Sequence, residues 1–237
     1  MRKPAAAVIA LAMPCLAYVL VVAVLGDGIF GDTSVPPGRD RRAALAIRDH
    51  VTPFQEWGSK IFTWGYLNRY YGAAWYFTQS KGGKAKKVNL RDAFVTCLDQ
   101  ALAKYESVDL YLLAHTNEYV DWVAALPAER RQRLRLVYNT GCHNLPQGAQ
   151  WLALGADAYV GHPGVSSSSV FYYFFLRRWT RGGTLQEATD ASNALAATAF
   201  RQYEWFTLGR SDAAWLIKES TASLSGSAQL HLEDRAE

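Results

Sequence analysis

An α/β domain, with a parallel-rich sheet flanked by helices on both faces, is the fold class the sequence predicts. Three observations predict it. The runs Val108–Ala114, Leu134–Asn139 and Ala158–Gly161 are apolar at consecutive rather than alternate positions, as strands covered on both faces must be. Segments with helical periodicity separate them. The resulting β-α-β-α-β-α succession has connections of the length that right-handed crossovers require.

Taken in order, residues 5–26 follow Arg2 and Lys3 and carry no charge. The stretch is longer than the apolar part of a typical signal peptide, so it is expected to be an N-terminal membrane anchor; because Pro14 interrupts it and small residues lie near Gly26, a cleaved signal peptide is the alternative. Asp27 and Asp32 precede Arg39, Arg41 and Arg42, which favours an extracytoplasmic body. Residues 27–40, with Pro36-Pro37-Gly38, read as a linker, and the domain is expected over 41–219.

Residues 54–77 are dense in aromatics with no clean period, compatible with a helix and then a short strand. Lys81 to Lys87 reads as a solvated basic loop. From Asn89, a plausible N-cap, Leu90, Phe94, Cys97, Ala101 and Leu102 share one helical face. Asn117–Leu126, Leu145–Leu154 and Val170–Thr180 read as further helices, with Pro127–Arg133 a turn or two. The cluster Arg130, Arg131, Arg133 and Arg135 reads as a polar helix face running into a strand. Gly182-Gly183 closes one helix, and Thr184 with Glu187 forms a capping box that opens a long helix towards Phe206. Residues 220–237 turn to Ser, Gly and charge and are expected to be a loose tail.

Composition narrows the function classes. Of 237 residues, 50% are hydrophobic, 13% aromatic and 19% charged, which excludes an intrinsically disordered chain. The net charge of +4, from 25 basic and 21 acidic residues, is too slight to call for a nucleic-acid partner. Three cysteines cannot staple a disulfide scaffold, and Cys15 lies in the apolar segment. There is no Walker loop, dinucleotide fingerprint or His-Glu-x-x-His motif, so no cofactor and no metal is expected.

Sites in open parallel sheets form beyond the carboxyl ends of the strands. His115 directly follows one strand and Cys142 follows the next after a short turn. Neighbouring strands lie about 4.8 Å apart, so such a pair would overhang one crevice. A thiolate attacks carbonyl carbon, and an adjacent imidazole can take the thiol proton and later protonate a leaving amine. From spacing alone, a small buried cysteine and a backbone-bonded turn histidine remain open alternatives. His143 is a rival base, but sequence neighbours generally point apart. His162, after the third strand, is a candidate for lining a substrate pocket, with a loop histidine as the alternative. Ser166 to Ser169 read as loop and N-cap, and Cys97 as a core residue that could form a disulfide with Cys142.

The order of these features resembles the caspase-like cysteine peptidases. Strand-then-His115, strand-then-Cys142, Gly155-Ala-Asp-Ala-Tyr-Val-Gly161, an aromatic helix and Gly182-Gly-Thr-Leu-Gln-Glu-Ala188 are similar to the gingipain and CHAT-domain branches. Cys142-His143 also resembles the start of the metacaspase Cys-His-Ser-Gly signature. The resemblance covers roughly residues 89–200. It implies a thiol protease with Cys142 as nucleophile, His115 as general base and acid, and the backbone N–H groups of Cys142 and Thr116 holding the oxyanion. The substrate would be a protein or peptide. Two departures accompany it. Thr116 stands where these families usually carry glycine, which leaves a catalytically inactive interaction module at the membrane as the alternative. Thr140, preceded by Asn139, stands where metacaspases carry an aspartate that receives a basic side chain; Asn139 and Thr140 are therefore candidate pocket residues without an implied preference for Arg or Lys.

Overall fold

The computed structural model describes residues 35–80, 90–114, 117–166 and 168–235. The apolar segment 5–26 and the lysine loop 81–87 lie outside the described residues. Among the described residues no helix is long and apolar enough to cross a membrane.

In chain order the elements are β1 (Arg42–Val51), α1 (Pro53–Tyr70), β2 (Ala73–Ser80), α2 (Leu90–Lys104), β3 (Ser107–Leu113), α3 (Glu118–Ala124) and α4 (Ala128–Arg131). There follow β4 (Leu134–Asn139), α5 (Gly148–Ala153), β5 (Ala158–Gly161), α6 (Ser168–Trp179), α7 (Leu185–Phe206), α8 (Ala213–Ser220) and β6 (Ser223–Gly226). The six strands form one sheet in the order β2-β1-β3-β4-β5-β6, parallel throughout except for β6, which runs antiparallel to β5. The chain is thus a mixed α/β protein with a mostly parallel sheet.

Alternation along the strands divides the core into two. Ala44, Ala46, Tyr111, Tyr138 and Val160 pack with α1, α6 and α7, whereas Leu45, Ile47, Leu110, Leu112 and Val137 pack with α2, α3 and α5. Successive side chains point to opposite faces, so helices cover both. The three strands read from sequence are fully buried, consistent with their mostly apolar residues. The capping box of α7 is formed: Thr184 accepts from the Glu187 N–H, and the Glu187 carboxylate accepts from the Thr184 N–H.

Two expectations are revised. Arg135 does not belong to a polar surface. It is fully buried on β4, with Nε 2.9 Å from Asp109 Oδ1 and Nη2 2.6 Å from Oδ2, and Tyr71 donates to the same carboxylate at 2.6 Å. A buried guanidinium persists because a bidentate partner and backbone acceptors together satisfy its donors. The segment after Ser220 is not a loose tail. It supplies β6, buries Leu230 and Leu232, and offers Leu232 O and Asp234 O to Arg135 Nη1. Backbone bonds from Leu185 N–H to Leu230 O (2.8 Å) and from Ser227 N–H to Asp157 O (2.9 Å) fasten it to the start of α7 and to the residue before β5. Its polar composition hides this because the order comes from backbone pairing and two leucines.

Candidate active site at the ends of β3 and β4

β3 and β4 are adjacent and parallel, with Leu112 opposite Asn139, so their carboxyl ends stand side by side. The pairing continues past the strands: Thr140 N–H donates to Leu112 O at 2.8 Å. One residue further, Gly141 meets the backbone of Ala114 so closely that a Cβ there would lie 1.9 Å from Ala114 O. Asn139 Oδ1 bridges the two chains, accepting from Gly141 N–H at 2.9 Å and from Ala114 N–H at 3.4 Å. The residues preceding His115 and Cys142 in sequence are therefore in contact. His115 and Thr116 themselves lie outside the described residues.

Cys142 is a free, half-buried thiol, and its sulfur accepts from the Ser166 N–H at 3.5 Å. That donor sits two residues before the start of α6 along the chain. His143 adopts φ 55°, in the left-handed region. The turn is held by its N–H on Gly164 O (2.9 Å), and the exposed ring lies 3.3 Å from Pro163 O. The left-handed residue reverses the chain directly after Cys142.

The three candidate pocket residues, Asn139, Thr140 and His162, have no exposed surface. They are buried around the Cys142 turn, with Asn139 and His162 bonded to Asn144. The His162 ring stacks on Tyr138 and meets Phe171 edge-on, and burial pushes its pKa down to about 4. On α2, Cys97 is likewise a free, half-buried thiol, and burial pushes its pKa up to about 11.

Two groups to which the sequence reading gave no role in the site are built into it. Asn144 is buried and bonds to the carbonyls of Asn139 and Gly141 and to the N–H of His162. Ser166, read as loop, contributes the N–H on the sulfur, and its hydroxyl is buried with no partner among the described residues. The one local cue was the polar Asn144 just before Leu145-Pro146. Among the described residues no cluster of His, Cys, Asp or Glu could hold a metal ion.

No protein-family model matches this chain, and no curated protein matches it.

Proposed function

We propose that this chain is a caspase-like cysteine peptidase, tethered to or exported across a membrane through residues 5–26, that cleaves a protein or peptide through Cys142 and His115. The observation that carries the reading is the contact between Ala114 and Gly141, because His115 and Cys142 are the next residues of those two strand ends. The parallel-rich, helix-flanked sheet is of the kind the resemblance implies, and the free thiol with a backbone donor at its sulfur suits a nucleophile.

In this mechanism His115 takes the thiol proton and the sulfur attacks the scissile carbonyl carbon. The oxyanion that forms is held by backbone N–H groups. Collapse expels the amine, which receives the proton from His115 and leaves a thioester on Cys142. Water then attacks the thioester, giving its proton to His115; the C–S bond breaks, the acid is released and the thiol is restored.

A second reading, a non-catalytic interaction module of the same fold, is favoured by Thr116 in place of the usual glycine. One experiment separates the two. Full-length protein is treated with peptidyl acyloxymethyl ketones bearing basic, acidic or apolar side chains, and the modified peptide is mapped. Labelling of Cys142 that drops sharply in His115→Ala supports the peptidase. Equal labelling in both proteins, or none in either, overturns it and leaves the interaction module.

A further inference from the structure

We propose that Asn144 is a positioning residue for the Cys142 thiol, its buried carboxamide setting the turn that presents the sulfur; the inference rests on the reading of Cys142 as nucleophile. Every polar atom of that side chain is engaged. Nδ2 donates to Asn139 O at 3.0 Å and to Gly141 O at 2.7 Å, and Oδ1 accepts from His162 N–H at 2.9 Å. Two carbonyls on one side and an N–H on the other permit a single orientation of the amide.

The placement matters more than the number of bonds. The two carbonyls flank Thr140, so one NH₂ group pins both sides of the turn that ends at Cys142. The third bond reaches the end of β5 and fastens that turn to the neighbouring strand. The backbone of Asn144 is held as firmly: its N–H donates to His162 O at 3.1 Å and its carbonyl accepts from the Tyr159 hydroxyl at 2.8 Å. Gly161 leaves the space, since a Cβ there would lie 2.8 Å from Asn144 Oδ1.

On the other side of the turn, Asn139 Oδ1 ties Gly141 to Ala114. The two asparagines thus form a tandem linking the end of β3, the Cys142 turn and the end of β5. Asn144 is 1% exposed, so no solvent replaces its bonds if they are lost, and the freed carbonyls must move to find donors. A reacting sulfur tolerates little such movement, because misplacement by about 1 Å costs on the order of 10²-fold in rate.

The test uses Asn144→Asp in the full-length protein. The variant keeps the shape but sets a second oxygen against Asn139 O and Gly141 O. Two reagents are compared on Cys142 by peptide mapping: a peptidyl acyloxymethyl ketone, which needs sulfur aligned with its base and a seated peptide, and iodoacetamide, which needs an accessible thiolate but no seated peptide. The expected result is a fall of about 10- to 100-fold in the ketone rate with iodoacetamide labelling little changed. If Asn144→Asp does not fold, Asn144→Ser, whose hydroxyl donates to one carbonyl at most, is expected to lower the same ratio. A folded variant with the wild-type ratio overturns the positioning role, as do rates for both reagents that change in parallel. Failure of the peptidase reading has a different signature, visible with Asn144 intact: wild type unlabelled by the ketone, or His115→Ala labelled as fast as wild type. That outcome overturns both.

Discussion

The Nδ1 atom of His162 lies 2.6 Å from the carbonyl oxygen of Ser220, joining the end of β5 to the end of α8. A carbonyl only accepts, so the ring proton sits on Nδ1 and Nε2 is left as an unprotonated, buried acceptor with no partner among the described residues. Protonating Nε2 would place a charged donor between Tyr138 and Phe171 with nothing to receive it.

Acid stability follows from that pair. The folded pKa is about 4, below the 6.5 of an unperturbed histidine, so between these values the unfolded chain binds a proton that the folded chain refuses. The stabilisation is complete above about pH 6.5, declines as pH falls, and is exhausted near pH 4, a loss of roughly 3 kcal/mol. Urea midpoints at pH 7.5 and 4.5 should differ more in wild type than in His162→Gln. Equal differences in the two proteins would contradict this account.

Gly141→Ala should be severely destabilising. Its Cβ would lie 1.9 Å from Ala114 O and 2.8 Å from the attached carbon, and both are backbone atoms with no rotamer to offer relief. A cost of about 1–3 kcal/mol is expected, as for overpacking elsewhere, together with loss of ketone labelling at Cys142. Wild-type urea unfolding in this variant would refute the tight approach of the two strand ends.

The buried Asp109–Arg135 pair between β3 and β4 predicts an asymmetry. Asp109→Ala strands a fully buried guanidinium and should cost about 3–5 kcal/mol, whereas the double change Asp109→Leu with Arg135→Met should recover much of that loss. Denaturant melts measure both. Because the pair is buried, the effect should persist at high salt.

Thr184→Ala, by contrast, removes one exposed half of the α7 capping box and should cost only about 1 kcal/mol. Labelling at Cys142 should be unchanged, since Thr184 starts its helix at the opposite end of the sheet from the cysteine turn. A large fall in labelling would mean that α7 couples to the site.

Thiol selectivity is also expected. With its pKa pushed up to about 11 by burial, Cys97 remains protonated at neutral pH. Iodoacetamide at pH 7.5 followed by peptide mapping should therefore modify Cys142 and spare Cys97. Preferential modification of Cys97 would invert the assignment of the reactive thiol.

How legible each element was depended on where its partners lie. β3, β4 and β5 are mostly apolar because helices cover both their faces, and that burial is written into the strand itself, with Asp109 and Arg135 as a charged pair between β3 and β4. β1 carries Arg42, Arg48 and Asp49, which mask it. Their burial is explained by distant groups: Arg42 donates to Tyr70 O and to the carbonyls of Pro36 and Pro37, and Arg48 lies between the rings of Tyr76 and Tyr172. β6, a Ser-Leu-Ser-Gly segment, has almost no side-chain signal and exists through its ladder with β5.

The amino-acid order alone determined the α/β class, the three central strands, the capped long helix, and the placement of His115 and Cys142 after consecutive strands, because these depend on local periodicity and burial. The tertiary structure decided that those strands are neighbours and that Asn139, Thr140 and His162 are buried. It also decided that Asn144 holds the cysteine turn. The physical reason is that a hydrogen bond joins atoms close in space, and the partners of Asn144 reach His162, eighteen residues away along the chain.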